Sequence, residues 1–344
     1  MWITDLRSDT VTKPTPEMRR FMANAEVGDD VFSEDPTVTL LETETAALLG
    51  KEAALYCPTG CMTNQLAIAT HTQPGDEVIV ESESHVFNYE TTAASYLSRI
   101  QLNPIKARDK GLLSTDEVAG AIRDSAYYMP RTRMLVIENT INRGGGRVYK
   151  LDRIQDLTSL ARSKGIINHL DGARLWNACA ASGVTPRKYA QHFDTISICF
   201  SKGLGAPVGS CLVGTKTTIE SARRFRKIWG GGMRQVGIIA AGALYALRNN
   251  QERIAEDNQK AKRFAEILYS ANSTLQVDLS TVETNIIIMT VPDGTDIPAT
   301  LASLAEKGVR LSQMSNTLIR AVTHMDVSLD DCEKAAHITA EHFS

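Results

Sequence analysis

Apolar and polar positions follow two rhythms along this chain. After Asp35-Pro36, the positions Val38, Leu40, Leu41, Thr45, Leu48 and Leu49 repeat at helical spacing and stop at Gly50. That pattern predicts an amphipathic helix with an acidic N-cap, a proline in its first turn and a glycine stop. Short β-rich runs follow at Val78-Ile79-Val80, Met134 to Ile137, Ile166 to Leu170, Thr195 to Phe200 and Ser210 to Val213, with helix-length segments such as Asp152 to Lys164 between them. Strand, helix, strand repeated in this way predicts an α/β fold whose mainly parallel sheet is covered on both faces. Gly230-Gly231-Gly232 interrupts the chain before a nearly all-apolar helix from Arg234 to Leu247, predicted to be buried. After Asn250 come a charged helix (Gln251 to Tyr269), a strand (Ile286 to Val291) and two helices (Ile297 to Lys307, Leu329 to Phe343), which predict a smaller α+β domain.

Composition narrows the classes. The 344 residues suggest two domains at roughly 150 residues each. With 43% hydrophobic and 22% charged residues, disorder is excluded. A net charge of −3 offers no broad basic surface for nucleic acid. The apolar run Val236 to Leu247, bounded by Arg234 and Arg248, falls short of the roughly 20 residues a bilayer span needs. Met1-Trp2-Ile3-Thr4-Asp5 lacks the start of a signal peptide, so the expectation is a cytoplasmic protein without membrane contact. The six cysteines are expected to be free thiols, and Cys57/Cys61 has no second Cys/His pair nearby to complete a zinc site.

Candidate chemistry sits at the ends of predicted strands, where ligands bind in open α/β sheets. His169-Leu170-Asp171-Gly172-Ala173-Arg174 delivers a carboxylate and then an arginine; Ser201-Lys202-Gly203-Leu204-Gly205 delivers a lysine; Pro58-Thr59-Gly60-Cys61 opens a helix whose free N–H groups suit an anion. Singly, each has an ordinary reading as a helix cap, a solvated lysine or a turn. Together they form the set that pyridoxal phosphate requires: a Schiff-base amine, a carboxylate for the pyridine nitrogen and a phosphate-holding helix start. No G-x-G-x-x-G follows an early strand, which disfavours a nicotinamide cofactor.

These residues belong to a longer series. Asp5-Leu6-Arg7-Ser8-Asp9-Thr10, Val27-Gly28-Asp29-Asp30, Glu138-Asn139-Thr140, Leu170 to Arg174, Ser201 to Ser210, Gly230 to Gln235 and Arg320-Ala321-Val322-Thr323-His324 stand in an order that resembles the low-specificity L-threonine aldolases, of the fold type I (aspartate-aminotransferase-like) pyridoxal-phosphate superfamily. The resemblance implies an N-terminal segment lining the site (1–13), a large cofactor-binding domain (14–249) and a small C-terminal domain (250–344). It implies retro-aldol cleavage of L-threonine, L-allo-threonine and related β-hydroxy-α-amino acids to glycine and an aldehyde. Another pyridoxal enzyme on the same scaffold (racemase, β-eliminating lyase or transaldolase) is the alternative.

By resemblance, Lys202 carries the cofactor, Asp171 faces its ring nitrogen, and Gly60 and Cys61 offer backbone N–H groups to its phosphate. Arg174 lies at the cofactor and, with Ser8 and Arg320, grips the substrate carboxylate, for which a planar guanidinium is suited. His85 stacks on the ring and acts near the substrate hydroxyl, itself or through a water. Tyr89 and Tyr128 are placed at the substrate. Lys227 and Arg234 reach the phosphate of a neighbouring subunit, implying shared sites in a homotetramer built as a dimer of dimers. Two positions depart from the family: Ile141 stands where histidine is frequent, and Tyr128 where relatives can present a second imidazole.

Overall fold

In the computed structural model, which describes residues 2–271 and 273–344, the β-rich runs assemble into sheets of different construction. The strands are β1 (Thr4–Asp5), β2 (Ala53–Cys57), β3 (Asp76–Glu81), β4 (Gln101–Ile105), β5 (Arg131–Glu138), β6 (Ile167–Gly172), β7 (Thr195–Cys199), β8 (Ser210–Gly214), β9 (Gln276–Val277), β10 (Ile286–Thr290), β11 (Val309–Arg310), β12 (Ser312–Gln313) and β13 (Leu318–Val322). The large sheet has seven strands in the order β2-β8-β7-β6-β5-β3-β4. Its neighbours are parallel except at β8, which runs against both β2 and β7. The chain from Phe200 to Gly209 is too short for the dozen or more residues a parallel crossover needs, so it turns back.

Both faces of this sheet are covered. Ala54, Tyr56, Ile79, Leu135 and Ile137 enter one apolar core, while their neighbours Leu55, Cys57, Val78, Val80, Met134 and Val136 enter another on the opposite face. This two-residue alternation inside uniformly apolar strands is what a doubly covered sheet requires. A four-stranded antiparallel sheet, β12-β13-β10-β9, packs on its own core, which includes Leu6 from the N-terminal segment. β1 pairs in parallel with β11, tying that segment to the C-terminal part of the chain.

Helix α1 (Pro16–Ala23) and helix α2 (Pro36–Leu49) precede the large sheet. α2 starts and stops as its sequence predicts: the Asp35 carboxylate accepts Val38 N–H at 3.0 Å, and Gly50 ends it in a left-handed conformation with φ of 66°. The apolar helix expected from Arg234 begins instead at Gly237 and runs to Asn249. Asp35 accounts for the difference, because its Oδ2 also accepts Gly237 N–H at 2.8 Å. One carboxylate thus caps two helix starts, and Arg234 to Val236 form the turn that reaches it. Two further helices set the site: α3 (Gly60–His71) after β2, and the single turn α4 (His85–Asn88) after β3.

Candidate active site

The parallel strands β2, β3, β5, β6 and β7 end on one edge of the large sheet, and each hands over a polar residue there. After β2, Thr59 caps α3 by accepting Met62 N–H at 3.1 Å. Gly60 and Cys61 occupy the first turn, where backbone N–H groups have no helical acceptor and the helix dipole favours an anion. Gly60 is required by packing, since a Cβ there would stand 2.8 Å from Cys199 Sγ on β7.

β6 delivers Asp171, which is 2% exposed. Its Oδ2 accepts Asn64 Nδ2 at 2.9 Å and its Oδ1 accepts Ala173 N–H at 3.1 Å. β7 delivers Lys202 through Phe200 and Ser201. Among the described residues no carboxylate lies within 4.0 Å of the Lys202 amine, although its charge acts on Asp9, Cys61 and His85. An amine not locked into an ion pair is available for covalent chemistry.

His85 opens α4. Its Nδ1 lies 2.9 Å from Glu90 Oε1, and its backbone N–H donates to Glu138 Oε2 at 2.6 Å. Burial draws the imidazole pKa down, but the Glu90 hydrogen bond and the Asp171 charge outweigh it and leave the pKa above the usual value. Glu138, at the end of β5 and in register with Asp171 on β6, is pushed up to about 7 by burial and by that neighbouring carboxylate. Partial burial and the charges of Glu90 and Asp171 push the Cys61 thiol up to about 11. Cys61, His85 and Glu90 each place a ligand-type atom within 4.8 Å of the others. The Glu90 carboxylate is taken up by Asn64, Gln65 and His85, however, so its oxygens already have hydrogen-bond donors without a metal ion.

Two arginines come from different parts of the chain, Arg174 after β6 and Arg320 on β13. Arg174 is gripped by Asp9 through two hydrogen bonds, Nε to Oδ2 at 2.8 Å and Nη2 to Oδ1 at 2.7 Å, leaving Nη1 without a partner among the described residues. Arg320, on β13, donates from Nη1 to Asn142 Oδ1 at 2.8 Å and from Nη2 to the Arg7 carbonyl at 3.1 Å, while its buried Nε has no acceptor. Desolvation and the facing Arg174 hold the Arg320 pKa below its usual value. A buried Arg174 and a half-buried Arg320, each with an N–H left without an acceptor among the described residues, have the planar donor geometry that suits a carboxylate. Ser8 caps the 3-10 turn Asp9–Val11, accepting Thr10 N–H at 3.2 Å. The Tyr89 ring centroid is 5.5 Å from that of His85, and its hydroxyl accepts Arg143 Nη1 at 2.8 Å.

Three residues named from sequence stand elsewhere in the chain's own fold. Tyr128 is 73% exposed and precedes Arg131, the first residue of β5, whereas the site gathers at Glu138, the last. At about 3.3 Å per residue, the length of the strand separates them, so a single chain does not bring Tyr128 to its own site. Lys227 and Arg234 cluster with Asp29, whose carboxylate accepts Arg234 Nη1 at 2.8 Å, and neither bonds to a site residue of the same chain. Ile141 is 2% exposed and belongs to the large core.

Sequence reasoning gave no role to Asn64, Glu90 or Asp9, yet these buried groups hold Asp171, His85 and Arg174. Asp9 lies inside the quoted N-terminal motif, and Glu90 five residues beyond His85 offered a faint signal; Asn64 offered none.

The donor set fits pyridoxal phosphate: helix N–H groups for a phosphate, a free amine, a buried carboxylate held by neutral donors, and an imidazole beside them. Comparison with known proteins agrees. A family model described as Beta-eliminating lyase matches residues 5–293. The chain is 40% identical over 333 residues to Low-specificity L-threonine aldolase 1 of Arabidopsis thaliana, covering 95% of this chain and 92% of that one. It is 41% identical over 335 residues to the Low specificity L-threonine aldolase of Escherichia coli K12, covering 97% of each. Among solved structures, threonine aldolase of Leishmania major superposes with a TM-score of 0.83 at 17% identity over 99% of both chains, which is a likeness of fold.

Proposed function

Because the chain belongs to the Beta-eliminating lyase family and to its low-specificity L-threonine aldolase members, we propose that it cleaves L-threonine and L-allo-threonine to glycine and acetaldehyde with pyridoxal phosphate as cofactor. In this reading Lys202 holds the cofactor, Gly60 and Cys61 face its phosphate, and Asp171 faces its ring nitrogen. Bound there, the cofactor supplies an electron sink for the charge left on the substrate α-carbon when the Cα–Cβ bond breaks. Arg320 and the spare Nη1 of Arg174, assisted by Ser8, hold the substrate carboxylate and so orient the scissile bond. Such orientation is worth up to about 7–11 kcal/mol in well-aligned reactions. His85 donates Nδ1–H to Glu90, which leaves Nε2 to accept the β-hydroxyl proton directly or through one water. Tyr89 borders this position. The observation that carries the reading is the identity of about 40% over nearly the whole chain, combined with an unpaired Lys202 and a buried Asp171 at one sheet edge. Incubation of the purified protein with L-threonine, with acetaldehyde and glycine measured separately, tests it; formation of 2-oxobutyrate instead would favour a β-eliminating lyase.

The same reading extends to domains and assembly: residues 14–249 form the large domain, 250–344 the small one, and 1–13 line the site. No helix among the described residues is long and apolar enough to cross a membrane, and we place the protein in the cytoplasm. Lys227 and Arg234, exposed and remote from their own site, serve a neighbour's phosphate in a homotetramer. Arg234→Ala is therefore expected to lose cofactor on dialysis. Mixed with inactive Lys202→Ala protein, it should regain activity in hybrids with one intact site. Subunit exchange without any regained activity would refute sharing.

Tyr128 and Ile141 leave His85 as the group at the hydroxyl in a single chain. Discrimination between epimers requires a buried polar group left unpaired by one of them, and one contact does not supply it. Both L-epimers should be cleaved with kcat/KM within about 100-fold, a difference below roughly 2.7 kcal/mol. D-threonine should be inert. Steady-state kinetics on the four stereoisomers decides the point, and a preference above a thousand-fold would show that a further residue reads Cβ.

A further inference from the structure

A polar chain runs from the buried Asp171 through buried Asn64 and Glu90 to the half-buried His85. Asn64 is the fifth residue of α3 and is 2% exposed. Its Nδ2 lies 2.9 Å from Asp171 Oδ2 and 2.8 Å from Glu90 Oε1; its Oδ1 lies 3.2 Å from His169 Nε2. Chemistry fixes the amide's orientation, since the reversed amide would set an oxygen against two carboxylate oxygens. Both amide hydrogens are therefore spent, one on each carboxylate.

The tautomers of two histidines follow. Asn64 Oδ1 only accepts, so His169, kept neutral by burial with its pKa at about 4, must carry its hydrogen on Nε2; its Nδ1 then accepts from Thr195 Oγ1 at 2.9 Å. On the other arm Glu90 Oε1 only accepts, so His85 must carry a hydrogen on Nδ1, which leaves Nε2 for the substrate. Glu90 Oε2 is filled by Gln65 Nε2 at 2.6 Å, so the carboxylate has no freedom to turn away.

We propose that Asn64 is a positioning residue that serves both halves of the reaction with one amide, holding Asp171 toward the cofactor ring nitrogen and Glu90 behind His85. The inference rests on the aldolase reading and extends it to residues that touch neither substrate nor cofactor. A carboxylate that shares its charge with Asn64 attracts the His85 proton less than one without that donor. The groups facing His85 are Glu90, Asp171, Glu138, Lys202, Cys61 and Tyr89. Of these only Glu90 and Asp171 bond to Asn64.

The experiment uses holoenzyme and three variants. Asn64→Ala should raise the pH of the acid limb of kcat/KM, because Glu90 loses a competing donor. Glu90→Gln should lower it, because the imidazolium loses its counter-charge. Asn64→Ala should also shift the visible absorption and circular dichroism of bound cofactor, which Glu90→Gln leaves in place. Asn64→Asp, isosteric but able to donate one hydrogen when protonated and none when ionised, should show both changes. KM for threonine should change less than about threefold while kcat falls at least about tenfold. An unshifted acid limb with unshifted spectra in Asn64→Ala overturns the proposal.

If the variants do not fold, wild-type holoenzyme labelled with ¹⁵N-histidine still decides: Nδ1–H at His85 and Nε2–H at His169 are expected, and the opposite tautomer at either refutes it. Spectra and tautomers are read without turnover. Absence of acetaldehyde from wild type would strike the aldolase reading while leaving this measurement intact.

Discussion

Lys202→Ala protein is expected to cleave L-threonine at less than a thousandth of the wild-type rate, a loss above about 4 kcal/mol of transition-state stabilisation. Lys202 stands three residues beyond the end of β7, and no carboxylate among the described residues lies within 4.0 Å of its amine to lock it in an ion pair. Its charge acts on Asp9, Cys61 and His85, which places it among the groups that would surround the cofactor. Removal should abolish visible absorption by covalently bound cofactor. Borohydride treatment of wild type should leave the cofactor on the peptide that contains Lys202, as read by mass spectrometry. Asp171→Ala offers the contrast. It keeps the amine and hence the borohydride label, but lowers kcat by about 10²-fold, or roughly 2.7 kcal/mol. A labelled peptide from elsewhere in the chain, or activity above a thousandth in Lys202→Ala, would remove Lys202 from its role.

The large sheet was legible in sequence because its strands are apolar on both faces and short, with turn residues between them. β8 was legible as a strand but not in direction, since direction depends on the length of the Phe200–Gly209 connection and on which neighbour it meets. β2 and β4 were missed. Ala53-Ala54 and the Pro104 in β4 weaken the local signal, and pairing with β8 and β3 supplies what propensity does not. The start of the helix at Gly237 was misplaced because its cap, Asp35, lies about 200 residues earlier in the chain. At the site, residues that carry chemistry were readable from their place after strands. The residues that hold them (Asn64, Glu90, Asp9) were not, because hydrogen bonding across the fold leaves no local pattern. Tyr128, placed at the substrate by resemblance, lies before the first residue of β5, away from the site that its own chain forms, and that position too depends on the fold and not on a local pattern.

Asp9→Ala is expected to destabilise the protein by about 3–5 kcal/mol at pH 7, the cost of leaving a buried guanidinium unpaired. Asp9 is fully buried and joins parts of the chain that are far apart in sequence. The N-terminal segment is fastened to the C-terminal sheet, where β1 pairs with β11 and Val322 N–H donates to the Leu6 carbonyl at 2.8 Å. From there Asp9 reaches Arg174 after β6, while Asn285, just before β10, donates to Asp9 Oδ2 at 3.2 Å. Burial alone would raise the Asp9 pKa, but the charge and hydrogen bonds of Arg174, with Lys202 and Asn285, hold it at about 2 against a usual 3.8. A depressed carboxylate pKa contributes stability that is complete above pH 4 and is lost as pH falls through the folded-state value near 2. That shift corresponds to about 2 kcal/mol, so urea unfolding should show the wild-type advantage over Asp9→Ala shrinking by about that amount between pH 6 and pH 2. Function should suffer separately, because Arg174 loses the pair of bonds that fixes its guanidinium, whose Nη1 we propose holds the substrate carboxylate. KM for threonine should rise more than kcat falls, and Arg174→Lys, which cannot make the paired contact, should reproduce that pattern. A destabilisation below about 1 kcal/mol that does not vary with pH would mean that the Asp9–Arg174 pair is held by its surroundings and does not itself clamp the N-terminal segment to the site.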